Sequence, residues 1–168
     1  VPIPTWSVGQ VLTAADVNNW FVPIAAAKPS DTSRASTTTQ TTDPDLAIAL
    51  AANASYIITG YLGYANASAS AGDLKYSFTA PTGNTTLWSS IRIDLTGTTT
   101  IAGPNAAGTG NNMTAQTSTL GDRSVHIFGT VITSGTAGNF TLNWAQNTSN
   151  ATATIIRAGS LLMVQRIG

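Results

Sequence analysis

The sequence predicts an all-β fold, a β-sandwich or jelly roll, with a short N-terminal arm and helix. Three observations predict it. Apolar and polar residues alternate over short stretches, as in Leu74-Lys75-Tyr76-Ser77-Phe78-Thr79. Turn residues, chiefly Gly, Pro, Asn and Ser, punctuate these stretches at short spacing. Glu is absent and Lys nearly so, which removes the usual formers of solvent-exposed helices.

Residues 1–30 differ from the rest and are read as an anchor arm. Pro2, Ile3 and Pro4 favour extended backbone, and Gly9 marks a turn. Thr13 is placed to cap a short helix, Asp16 three residues on completes a capping box, and Pro23 stops it. Trp6 precedes this helix, and Leu12, Val17, Trp20 and Phe21 fall on one side of it. A helix of about nine residues is not stable alone. Its aromatic side therefore packs either on its own domain or on a partner.

Residues 31–168 are read as the sandwich domain. A polar stretch, 31–42, merges into an edge strand. A strand at 46–50 follows a turn at Asp43-Pro44-Asp45. Another at 55–64 places Tyr56, Ile58, Gly60, Leu62 and Tyr64 on one face. The alternating stretch at 73–80 comes next. A strand at 87–95 sets Ile91, Ile93 and Leu95 opposite Arg92 and Asp94. Residues 96–116 form a long loop rich in Gly, Asn, Thr and Ala, a kind of segment that is commonly functional or mobile. Val125, Ile127 and Val131 share a face of the strand at 124–133, and Phe140, Leu142 and Trp144 alternate in the next. The chain closes with an expected hairpin, 151–157 and 160–167, over Ala158-Gly159. Its last strand is apolar on both faces and so is central or covered. About eight strands in this order suit a sandwich or jelly roll. No internal repeat points to a propeller or solenoid.

Composition excludes several functions. A chain of 168 residues suits one domain and buries roughly 70% of its extended surface. It has no cysteine, hence no disulfide framework, thiolate metal site or Cys nucleophile. Charged residues are 8% of the chain, against about 25% in an average domain. The seven bases cancel the seven acids. Such a chain neither neutralises a row of phosphates nor binds an anionic membrane, so no nucleic-acid or membrane partner is expected. No apolar run approaches the ~20 residues of a membrane span. No signal peptide is recognised, and a soluble chain is expected.

Groups that titrate or attack are few. The single histidine, His126, lies on an expected strand, and no Gly-x-Ser-x-Gly elbow accompanies it. It is read as a surface or interface residue, or as a metal ligand on a symmetry axis where copies complete the set. Asp43 and Asp45 are the only close carboxylate pair. A glycosidase needs two carboxyls about 5–9.5 Å apart across a cleft. The intervening Pro44 points instead to a turn whose carboxylates cap backbone amides. Asp122-Arg123 reads as a turn ion pair. The glycine-rich run 108–112 lacks the Lys and helix of a phosphate loop. No enzyme, catalytic residue, cofactor or metal is therefore expected. Trp88 and Trp144 belong to the core. Tyr56, Tyr61 and Tyr64 occupy both faces of one strand, so one face must meet another sheet, a subunit or a ligand. With His126 they make a candidate subunit or ligand surface.

Two stretches carry a family resemblance. Trp6-Ser7-Val8-Gly9-Gln10-Val11-Leu12-Thr13-Ala14-Ala15-Asp16-Val17-Asn18 resembles an N-terminal motif of minor tail and fibre-type proteins of tailed bacteriophages, especially actinobacterial ones. Leu142-Asn143-Trp144-Ala145-Gln146-Asn147, with Arg157-Ala158-Gly159-Ser160 and the closing strand to Arg166, is similar to the end of their small jelly-roll heads. The resemblance implies a tumour-necrosis-factor-like jelly roll that forms a homotrimer. It implies a structural protein at the virion surface, anchored through Trp6, Leu12, Val17, Trp20 and Phe21. Two places are open. One is the capsid exterior, as a decoration protein or head fibre against the major capsid protein. The other is the tail tip, as a minor tail protein among tail proteins, binding a host cell-surface glycan. The lack of a fibrous shaft favours the first, and the N-terminal motif favours the second. The family brings no catalytic residue.

Overall fold

The structure, a computed structural model, describes residues 5–66, 73–93, 99–108, 111–112 and 121–168. It opens with helix α1 (Ala14–Trp20). Then come β1 (Ile24–Ala27), β2 (Thr32–Arg34), β3 (Thr41–Leu50), β4 (Ser55–Asn66), β5 (Leu74–Thr79) and β6 (Thr85–Ile93). The chain continues through β7 (Thr99–Asn105), β8 (Asn111–Asn112), β9 (Gly121–Ile132), β10 (Gly138–Gln146), β11 (Thr154–Ile156) and β12 (Leu161–Arg166).

Antiparallel pairing sorts the strands into two sheets. One runs β1-β12-β4-β9-β6-β7 and the other β3-β10-β5-β8. Four pairings define the topology: β1 with β12, β3 with β10, β4 with β9, and β5 with β8. Among these strands the first pairs with the last, the second with the next to last, and so inward. That is a long hairpin rolled up on itself, a jelly roll. β6 and β7 form an added hairpin that widens the first sheet beyond β9. β2 joins β11 at the far end of β4. The sandwich takes in β1, which falls inside the segment 1–30 assigned above to the arm.

Burial follows the pleat. Tyr56, Ile58, Leu62 and Tyr64 of β4, Val125, Ile127 and Val131 of β9, and Leu162 and Val164 of β12 face inward. Opposite them lie Leu46, Ile48 and Leu50 of β3, Leu74, Tyr76 and Phe78 of β5, and Phe140, Leu142 and Trp144 of β10. The rings interlock. Phe78 stacks on Phe140 at 4.8 Å and meets Trp88 edge-on at 4.9 Å. Tyr76 lies 5.5 Å from Trp88.

Three expectations need correction. Residues 43–45 are not a turn, because β3 runs through them. Thr42 pairs with Asn143 and Ala47 with Thr141, so 43–46 bulge opposite Leu142 alone. Pro44 is tolerated there because β3 is an edge strand and the bulge relieves the ladder. β11 and β12 are not a hairpin either. Both pair with β4, at residues 64–66 and 56–61, as two segments of one interrupted strand. At the break Gly159 takes φ +81°, and Ser160 Oγ accepts from the Gly63 amide at 3.0 Å. The third correction is the face of β6. Trp88, Ser90 and Arg92 point inward, while Leu87 is 54% exposed and Ile91 half-buried. One indole buries more area than either aliphatic side chain. Tyr76 Oη also donates to Ser90 Oγ at 2.6 Å. Of the long loop, 99–105 and 111–112 are strands. Residues 94–98, 109–110 and 113–120 lie outside the described residues, and Asp94 and Leu95 with them.

Trp88 sits opposite Gly129 of β9. A Cβ on Gly129 would meet Trp88 Cα at 2.7 Å, which is backbone that cannot yield cheaply. The Gly129→Ala variant is expected to push β6 off β9 and to lose about 1–3 kcal/mol of stability, read from urea unfolding midpoints.

Candidate functional site

Among the described residues no three His, Cys, Asp or Glu side chains gather to hold a metal ion. No described helix is long and apolar enough to cross a membrane. The charges group elsewhere. Lys28, Asp43 and Asp45 form a cluster inside the sandwich edge. Asp73 is buried beside Arg123 and Arg92. Burial pushes its carboxyl up from the usual aspartate value, against the pull of Arg123 and Arg92. Arg157 bridges Asp31 and Asp122 at the surface, at 2.7 Å each. Asp122 therefore pairs with Arg157 rather than with its neighbour Arg123, whose side chain turns inward because alternate strand residues face opposite ways.

Two apolar surfaces stand out instead. The first is the outer face of the β1-β12-β4-β9-β6-β7 sheet. Register places Ala27, Leu161, Tyr61, His126, Ile91 and Ile101 on one rung across it. The next rungs carry Met163, Thr59, Phe128 and Ser89, then Gln165, Ile57, Thr130 and Leu87. Phe128 is 43% exposed and Ile101 71%. No Asp, Lys or Arg interrupts these rungs, and the Arg157 bridge lies beyond them. Strand alternation normally sets polar residues on a solvated face, and contiguous apolar exposure marks a contact surface.

The expected tyrosine surface narrows to its middle member. Tyr61 is exposed, with its ring edge-on to His126 at 5.4 Å. Tyr56 and Tyr64 are 2% and 1% exposed and belong to the core. Tyr56, Ile58, Leu62 and Tyr64 of β4 all face inward. Sequence reasoning missed Ile57, Leu87, Phe128 and Ile132, whose exposure depends on which face of each strand meets the other sheet.

The second surface is the arm. Helix α1 starts as its capping box dictates: the Asp16 amide donates to Thr13 Oγ1 at 3.2 Å, and the Thr13 amide to Asp16 Oδ2 at 3.0 Å. The Thr13 hydroxyl, donating to Asp16 Oδ2 at 2.7 Å, and then the Thr13 amide hold the Asp16 carboxyl below its usual value. Trp20 rests on its own domain. Arg166 lies over its ring at 4.6 Å, and Gln165 Nε2 donates to its carbonyl at 2.8 Å. Trp6, Leu12, Val17 and Phe21 do not rest there. All four are exposed, with Val8 and Val11 beside them. Val22, Ile24, Ala49, Ala51, Tyr56 and Arg166 line a recess beside the arm.

No protein-family model matches the sequence, and no curated protein matches it. Remote likeness exists to solved virus structures. The structure of infectious bursal disease virus Gx strain is 16% identical, with a TM-score of 0.21, over 98% of this chain and 44% of that one. The VP2 subviral particle of infectious bursal disease virus is 15% identical, with a TM-score of 0.24, over 97% and 44%. The chain thus spans less than half the length of the viral chains it matches. Scores of this size carry no functional argument, and the jelly-roll assignment stands on the strand pairings above.

The Asp31 bridge has a defined pH signature. The Ala158 amide at 2.8 Å and Arg157 Nη1 at 2.7 Å hold its carboxyl below the ordinary 3.8. A carboxyl depressed in the folded state stabilises the fold above the unfolded value and stops doing so as pH falls through the folded one. The Asp31→Asn variant is therefore expected to be less stable than the natural chain at neutral pH. The gap should close as pH drops below 3.8, in urea midpoints taken along a pH series.

Proposed function

We propose that this chain is a non-enzymatic structural protein of a bacteriophage virion, displayed on the particle surface as a homotrimer and anchored by its N-terminal arm. The observation that carries this reading is the pair of exposed apolar surfaces, one on the outer sheet face and one on the arm. The outer sheet face suits a copy of itself. It has no like charges to repel, and little is lost when it leaves water. The arm suits a different partner, a virion protein such as the major capsid protein. It presents Trp6, Leu12, Val17 and Phe21 away from its own domain. The resemblance of residues 6–18 to the phage motif supports an anchored virion protein although that motif is one of tail proteins, and the capsid exterior is the placement we favour.

One observation favours the tail-tip alternative. Tyr61 and His126 expose an edge-on ring pair of the kind a host cell-surface glycan stacks on. A glycan site requires that face to stay open, whereas a trimer through it does not.

Size-exclusion chromatography with light scattering is expected to give three chains per particle for the natural protein. The Phe128→Asp variant should run as a folded monomer, with unchanged far-ultraviolet circular dichroism. A natural chain that stays monomeric at high concentration overturns the trimer. Mass spectrometry of purified tailless heads should find the chain, and its confinement to tails would transfer the assignment to the alternative.

A further inference from the structure

Lys28 follows β1 directly, and no part of its side chain is exposed. Its backbone is held on both sides. The Lys28 amide donates to the Ser160 carbonyl at 2.7 Å, and the Lys28 carbonyl accepts from the Gly159 amide at 2.9 Å. The ammonium Nζ lies 3.0 Å from both oxygens of Asp43, which is equally buried, and 2.8 Å from Asp45 Oδ2. Trp144 Nε1 donates to Asp43 Oδ2 at 3.0 Å, and the Asp45 amide donates to Asp43 Oδ1 at 3.1 Å. Asp45 reaches solvent, with 29% of its side chain exposed.

As a plain ion pair this arrangement has little to recommend it. Removing an ammonium and a carboxylate from water is costly, and their attraction barely returns it. As chemistry it is well equipped. An amine faces a carboxyl, a second carboxyl touches the amine, and a fixed indole N–H grips the oxygen on which charge would develop. We propose that Lys28 and Asp43 condense into an intramolecular isopeptide bond, formed once per chain by the fold itself.

The step balances without any co-reactant. One ammonium proton passes to the Asp43 carboxylate, whose two oxygens lie 3.0 Å from Nζ. The free amine attacks Asp43 Cγ and forms the Nζ–Cγ bond, with Trp144 Nε1–H stabilising the negative charge on Oδ2. Asp45 takes a second proton from Nζ and delivers it to Oδ1. The Cγ–Oδ1 bond breaks and water leaves past Asp45 to solvent. One ammonium and one carboxylate become one amide and one water, and Asp45 ends as it began. Fixed juxtaposition supplies effective concentrations of the order of 10⁵–10⁸ M for such reactions. The product also removes two buried charges.

The bond would tie the end of β1 to the bulge in β3, the outer strands of the two sheets. β1 is held by β12 alone within its sheet and is the first strand after the arm. A pull on the arm would then pass into both sheets instead of peeling β1 away. The proposal does not depend on the virion reading, since it rests on the cluster alone.

Intact-mass spectrometry of the purified, denatured full chain tests it. The natural chain should be lighter than its sequence mass by one water, and a digest should hold a branched peptide joining Lys28 to Asp43. Lys28→Ala and Asp43→Ala should have full mass whether or not they fold. Asp45→Asn keeps both reactants and should stay uncondensed, or condense at least tenfold more slowly, while remaining folded. A natural chain of full sequence mass, or a water loss mapping to any other pair, overturns the proposal.

Discussion

Phe78 occupies the place where the two sheets meet. It stacks on Phe140 from its neighbouring strand and takes the edge of Trp88 from the opposite sheet. Much of the rest follows from this ring contact. With Trp88 drawn inward, Ser90 and Arg92 must follow, because alternate residues of a strand share a face. Leu87 and Ile91 are then forced outward. The partner strand must carry Gly129 where the Trp88 backbone approaches. An apolar outer face is thus the other side of a well-filled core.

Scarcity of charge shapes the surface as much as apolar content does. Lys28, Asp43 and Asp45 are placed inside or at the edge of the sandwich, and Arg92 and Arg123 are buried. Asp31, Asp122 and Arg157 hold one corner together. The wide sheet is left with Tyr61, His126 and Phe128 framed by Thr, Ser and aliphatic side chains. A monomer in water gains nothing from such a face. A protein packed among copies of itself on a shell loses nothing by it, and that is the connection between composition and the virion reading.

Much was legible in the sequence, and what was legible had local causes. The period-2 pattern of β5, β9 and β10 predicted their inward faces, since each strand's side chains alternate regardless of its neighbours. The Thr13/Asp16 capping box predicted the start of α1, because both partners lie within one helical turn. What was missed had remote causes. Pro44 reads as a turn until β3 is known to be an edge strand. Ala158-Gly159 reads as a hairpin until both flanking strands are seen to pair with β4.

The candidate surfaces divide along the same line. From the residues alone came an all-β chain, poor in charge, with an apolar capped helix in its arm, because composition and periodicity act within a few residues of each position. Which tyrosines are outside was decided only by the folded sheets, since Tyr56, Tyr61 and Tyr64 are chemically alike and differ only in the side of β4 that meets the core. The tertiary structure alone also joined Lys28 to Asp43, Asp45 and Trp144. Those groups lie on two different sheets, and no local pattern ties a lone lysine to carboxylates across a sandwich.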